Sequence, residues 1–157
     1  MVDAKLRKTA EGVYELICKM LDGRNWKYDR EDAELILHFG VNGEDIPMEF
    51  LIVVDAERQL VRLMSLLPFT AGADKLTELA IATSYANYKM ADGSFDFDLV
   101  KGRIVYRMTT SYRESLLSEE LFNYMVSYAC YAVDKYNDRF LMLIRGALSV
   151  EQFIQGA

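Results

Sequence analysis

The residues with the most chemical potential lie in "ADGSFDFDLVKGRIVYRMT", positions 91–109, where Asp92, Asp96 and Asp98 alternate with other residues and Arg103 and Arg107 follow. Oxygen-bearing side chains at alternate positions are what a calcium loop uses. Counted from Asp92, however, the sixth position is Phe97 where an EF-hand needs glycine, and the twelfth is Arg103 where it needs a bidentate glutamate. General acid–base work would need one carboxyl group kept protonated by burial. Two nearby arginines favour the charged form instead. A turn at Lys101-Gly102 explains the stretch better. It sets Phe97 opposite Tyr106, Phe95 opposite Met108 and Leu99 opposite Ile104 on an inward face. Asp96 then meets Arg107 on the outward face, with Asp98 diagonal to an arginine. Exposed pairs of this kind contribute only ~0–1 kcal/mol each, but they oppose slippage of the hairpin. The carboxylates read as scaffold.

The other reactive residues are isolated. His38 is the one histidine, and without a second histidine or a cysteine beside it no ordinary zinc site can form. It falls on the mixed face of a strand, near Glu49. Cys18 and Cys130 sit inside helical stretches among apolar residues, where a thiol packs as a small hydrophobe. There is no G-x-S-x-G elbow, no G-x-G-x-x-G turn and no G-x-x-x-x-G-K-[ST] loop. No catalytic residue, cofactor or metal is expected, and the chain reads as a non-enzyme.

Composition narrows the classes further. The chain has 157 residues, is 52% hydrophobic and carries a formal net charge of −6, which suits one packed domain spanning 1–157. An acidic surface disfavours nucleic acid and anionic membranes. The opening "MVDAKLRKTAEG" lacks the apolar core of a secretory leader, and no apolar run approaches spanning length, so the expectation is a cytoplasmic protein.

The elements follow from periodicity. Leu6, Ala10, Val13, Ile17 and Met20 mark an amphipathic helix over 4–22, with Asp3 as its cap and Gly23 suited to the left-handed position after it. From Trp26 the period becomes two. Asn42-Gly43 signals a two-residue hairpin that sets Leu35 opposite Phe50, Leu37 opposite Met48 and Phe39 opposite Ile46. The reverse face, with Glu34, Ile36, His38, Glu49 and Leu51, is mixed. A second reversal at 55–58 returns "QLVRLMSLL", which Pro68 should end. Residues 74–89 form a helix that is apolar on more than one side. The hairpin around Gly102 comes next, then a long helix from a Ser118 cap toward Gly146. "SVEQFIQ" opens with capping-box spacing between Ser149 and Gln152, which allows a short terminal helix. The order is α-β-β-β-α-β-β-α, an α+β domain on an antiparallel sheet.

Surplus apolar surface is the functional signal. The long helix shows apolar residues on most of its sides, and eight methionines and ten tyrosines suit adaptable contact surfaces. The alternative is a thick core with tyrosine tips reaching water. On the 74–89 helix, Ile81, Ala82, Tyr85, Ala86 and Tyr88 form the candidate partner or dimer surface, the small alanines inviting close approach. Tyr124, Tyr128 and Tyr131 are candidates to line a pocket between the sheet and the long helix, which would suit a small-molecule sensor.

Three segments carry a resemblance: "NGEDIPMEFLIVVDAERQLVRLMSLLPF", "ANYKMADGSFDFDLVKGRIVYRMTTS" and "YMVSYACYAVDKYNDRF". With them the chain, from about Trp26 to Phe153, resembles the YbjN-like family of bacterial sensory-transduction regulators, which shares the type III secretion chaperone-like fold. The resemblance implies a small, non-enzymatic, usually dimeric domain that binds a protein or peptide partner, and it supplies no catalytic residues. A homodimer with an unidentified protein or peptide partner is therefore expected.

Overall fold

The computed structural model describes residues 1–156. Helix α1 (Ala4–Gly23) starts where the Asp3 carboxylate accepts from Lys5 N at 2.6 Å. The left-handed residue after it is Asn25 (φ 57°), two positions later than expected, because the helix continues through Gly23. The strands β1 (Asp29–Glu31), β2 (Ile36–Val41), β3 (Met48–Asp55) and β4 (Leu60–Thr70) come next. After a 3-10 turn, α2 (Leu76–Lys89) leads to the hairpin of β5 (Ser94–Asp98) and β6 (Arg103–Ser111). Helix α3 (Glu119–Ile144) is capped by the Ser118 hydroxyl, which accepts from Leu121 N at 3.2 Å. The chain closes with α4 (Val150–Gly156), opened by the reciprocal Ser149–Gln152 bonds of a capping box.

All strand pairs are antiparallel, and the six-stranded sheet runs β1-β2-β3-β4-β6-β5. Its two faces differ. Leu35, Leu37, Phe39, Phe50, Ile52, Val54, Val61, Leu63, Phe95, Ile104 and Tyr106 are buried under the helices. Helix α3 crosses β3, β4 and β6, with α1 beside it. Helix α2 lies along β5, and α4 packs on α2 and α3. The alternate residues form a face that no helix covers.

Within their strands both hairpins keep the expected facing but not the expected register, and Leu99, expected inward opposite Ile104, lies in the turn and is exposed. Phe39 pairs with Phe50 and Leu37 with Ile52, four residues away from the expected alignment. The loop is six residues long because Pro47 has no N–H for a ladder. It is also held from outside: the Asp134 carboxylate on α3 accepts from Glu44 N at 2.8 Å. In the second hairpin Phe95 pairs with Tyr106 and Phe97 with Ile104, a shift of two. The turn there spans Leu99–Gly102, and the Asp98 carboxylate caps it by accepting from Val100 N and Lys101 N at 2.9 and 3.0 Å. Those two bonds also hold Asp98 below the usual carboxylate range. Pro68 does not end its strand; β4 passes it by a register shift between Leu66 and Thr70. Strand β1 was not expected, since Asp29, Arg30 and Glu31 are all charged and carry no apolar alternation.

Candidate partner-binding surfaces

The open sheet face carries the first candidate. Across β2, β3 and β4, His38 stands beside Leu51 and Leu51 beside Met64, while Leu66 on β4 stands beside Val105 on β6. Leu51, Met64 and Val105 are half-buried, and Leu66 is 50% exposed. They floor a shallow cavity of about 440 Å³. Its rim carries His38 and Glu49 at one end and Asp98, Lys101 and Arg103 at the other. Sequence reasoning reached only the β2–β3 part of this face. In β4, "LVRLMSLL" is apolar at both alternations, so its register stayed open in the sequence; the structure resolves it, with Val61, Leu63 and Leu67 in the core and Met64 and Leu66 on the open face.

His38 and Asp98 rim the same cavity. Chemistry does not follow from that. They stand on β2 and at the end of β5, four strand spacings apart, roughly 19 Å along the sheet. The His38 Nε2 is 2.7 Å from a Glu31 carboxylate oxygen, and the Asp98 carboxylate holds its own turn. Asp96 is bound to Arg107 Nε at 2.8 Å, on the diagonal of the ladder, and Asp92 accepts from the Tyr124 hydroxyl at 3.1 Å. Each carboxylate of the opening stretch holds structure together. Among the described residues no group of three His, Cys, Asp or Glu side chains could hold a metal ion. Burial pushes the Cys18 thiol up, and the Cys130 thiol up to about 11, so both stay protonated near neutral pH.

The second candidate is α2. Ala82 and Ala86 are fully buried, which corrects their assignment to an exposed face: the small side chains let α2 approach its own neighbours closely. Ile81 is 45% exposed and Tyr88 81% exposed, and Tyr85 stacks obliquely on Tyr88 with centroids 6.2 Å apart. These three, with Thr77, Ala80, Ser84 and Ile154 of α4, line an open groove.

Tyr124, Tyr128 and Tyr131 do not form a pocket under α3. They run in a row with centroids 6.0 and 5.8 Å apart, Tyr124 and Tyr131 being largely exposed. Tyr124 donates to Asp92, and the Tyr128 hydroxyl accepts from Ala91 N at 2.8 Å, so both hydroxyls fix the approach to β5. Tyr131 edges a polar groove with Glu44, Asp45 and Asp134.

One further contact governs where a partner strand could pair. Asn87 of α2 receives Phe95 N on its Oδ1 at 2.6 Å and donates its Nδ2 to Phe95 O at 3.1 Å. Both outward backbone groups of Phe95 are thus satisfied by one side chain. It stands where a seventh strand would, and blunts the β5 edge.

A family model described as "Putative bacterial sensory transduction regulator", YbjN, matches residues 14–142. No curated protein matches the sequence. Solved structures share the fold at low identity. The crystal structure of YbjN from E. coli, there termed a putative transcription regulator, is 12% identical with a TM-score of 0.57, over 80% of this chain and 92% of that one. A chain of the HopA1–SchA chaperone–effector complex is 13% identical with a TM-score of 0.58, over 88% and 99%. A chain of the ExsC–ExsE complex is 15% identical with a TM-score of 0.56, over 81% and 92%. The architecture, helices on one side of an antiparallel six-stranded sheet, is thus that of the type III secretion chaperone-like fold.

Proposed function

The chain belongs to the YbjN family, and on that premise we propose that it is a non-enzymatic protein–protein interaction module of chaperone or regulatory type. It binds a protein or peptide partner through its open sheet face and assembles as a homodimer through the exposed side of α2. The observation that carries this reading is the uncovered sheet face, where Leu51, Met64, Leu66 and Val105 from three neighbouring strands form a continuous apolar floor. A soluble domain that needed no partner would place polar residues there.

The α2 groove is a separate surface. Helix α4 covers part of α2, with Phe153 fully buried and Ile154 at the groove edge, which leaves Ile81, Tyr85 and Tyr88 for a second copy. The net charge of −6 disfavours nucleic acid and anionic lipid as partners, and a cytoplasmic location suits the family. No helix among the described residues is long and apolar enough to cross a membrane.

Light scattering of the purified protein tests the dimer. The mass of a dimer is expected for the unaltered chain and that of a monomer for Ile81→Asp. A monomer in both cases overturns the dimer, while leaving the sheet face to be tested through its own residues.

A further inference from the structure

The two ends of the sheet-face groove are opposite in charge, and this selects its occupant. At the β2 end the Glu49 side chain folds over Gly40: a Cβ at position 40 would lie 3.1 Å from Glu49 Oε1. The carboxylate therefore lies over β2, beside the His38–Glu31 pair. At the β6 end stand Lys101 and Arg103, and neither forms an ion pair within 4 Å among the described residues. Asp98 shares that end with its carboxylate accepting from the amides of Val100 and Lys101, and it offsets only one of the two cations, so the wall keeps a net positive charge. The arginines nearby on the same face are already committed, Arg62 to Asp55 at 3.7 Å and Arg107 to Asp96 at 2.8 Å. Between the walls lie Leu51, Met64, Leu66 and Val105.

The spacing translates into a sequence pattern. From Gly40 on β2 to β6 there are three strand spacings, about 14 Å. An extended peptide advances roughly 3.3 Å per residue, so four steps span about 13 Å. Side chains at i, i+2 and i+4 share one face of such a peptide. We infer that the groove takes an extended segment of a partner protein in which a basic residue at one end, an apolar residue two positions on and an acidic residue two further on face the sheet. The basic residue meets Glu49, the apolar one covers Met64 and Leu66, and the acidic one meets Lys101 and Arg103. The segment crosses the strands instead of extending the sheet, so either chain direction serves, provided the basic and the acidic residue lie at opposite ends of the pattern. This rests on the reading of the sheet face as the partner site and adds the chemistry of the partner.

The test is a set of twelve-residue peptides with Gly-Ser flanks around Lys-Ser-Leu-Ser-Glu, Lys-Ser-Leu-Ser-Lys or Glu-Ser-Leu-Ser-Glu. Each is titrated into the full-length protein and followed by amide shifts in NMR. The mixed-charge peptide is expected to bind tightest, each like-charged peptide about fivefold more weakly, as for the loss of one partly exposed ion pair. Shifts should centre on Leu51, Met64, Leu66 and Val105. In Glu49→Lys both walls become cationic, and the order should invert in favour of Glu-Ser-Leu-Ser-Glu. Equal binding of all three peptides at this face overturns the charge pattern while the partner site stands. Absence of shifts on the sheet face with every peptide overturns both. A Glu49→Lys protein with unchanged preference overturns the pattern as well.

Discussion

Asn87→Ala perturbs the architecture at one point whose consequence can be worked out. The Asn87 amide satisfies both outward backbone groups of Phe95, at 2.6 and 3.1 Å, and Phe95 is only 2% exposed. Removing it leaves a buried N–H and a buried C=O without partners, at about 1–3 kcal/mol each before relaxation. Position 87 lies inside α2, so alanine returns roughly 0.6 kcal/mol of helix propensity. Water reaching the edge lowers the penalty further, which gives an expected net loss of about 2–3 kcal/mol. Urea unfolding monitored by circular dichroism measures it directly. Native-state hydrogen exchange supplies the local readout: the Phe95 amide should exchange at least tenfold faster than its loss of global stability accounts for. Asn87→Asp separates the two bonds, since a carboxylate can still accept from Phe95 N but cannot donate to Phe95 O. Its Phe95 amide should exchange more slowly relative to global stability than in the alanine variant, while the second carboxylate oxygen facing Phe95 O makes it no more stable than the native protein. If Asn87→Ala changes stability by less than about 0.5 kcal/mol and leaves Phe95 exchange unaltered, Asn87 does not substitute for a strand, and the reasoning fails.

Two further perturbations read other parts of the fold. In Asp55, burial raises the carboxyl pKa, but bonds from the Arg58 backbone and side chain, with the charges of Arg58 and Arg62, outweigh it, and the net shift is downward. A depressed folded value means stability that is present above the ordinary value of 3.8 and lost as pH falls through the folded one. Asp55→Asn should therefore destabilise by about 2 kcal/mol at pH 7, and the gap to the native protein should narrow below pH 3.8 in acid unfolding curves; a gap constant with pH would refute this. Gly102 adopts φ 66° and its carbonyl accepts from Ala71 N at 2.8 Å, so a Cβ there would press into the Ala71 backbone. Gly102→Ala should lower stability by about 1–3 kcal/mol in thermal unfolding, through strain at a left-handed position and that collision; an unchanged midpoint would show that the turn has another conformation open to it.

Much of this architecture is written locally, and the parts that are not have identifiable causes. The caps at Asp3, Ser118 and Ser149 are set by a few neighbouring residues, and each forms as expected. The facing of the strands is also local, because alternation fixes parity, and Leu37, Phe39, Phe50 and Phe95 all lie inward. Register is different. Asn42-Gly43 is a sound hairpin signal, yet Pro47 and the distant Asp134 stretch that loop to six residues, and no short window contains Asp134. Ala82 and Ala86 illustrate the ambiguity of small residues, which allow close approach equally within a chain and between chains; here they serve the fold. Two things depended on knowing strand order. The partner floor joins Leu51, Met64, Leu66 and Val105 from three strands, and the Asn87 plug joins a helix to an edge.

The account's central claim concerns the open sheet face, and Leu66, half exposed at its centre, is the residue to change. Affinity purification from the source cells with the native chain and with Leu66→Asp in parallel, after confirming that both have the same thermal midpoint, measures it directly. A stoichiometric protein that accompanies the native chain and is absent from the Leu66→Asp preparation is the predicted result. The same protein recovered equally with both, or none recovered with either, would contradict the claim.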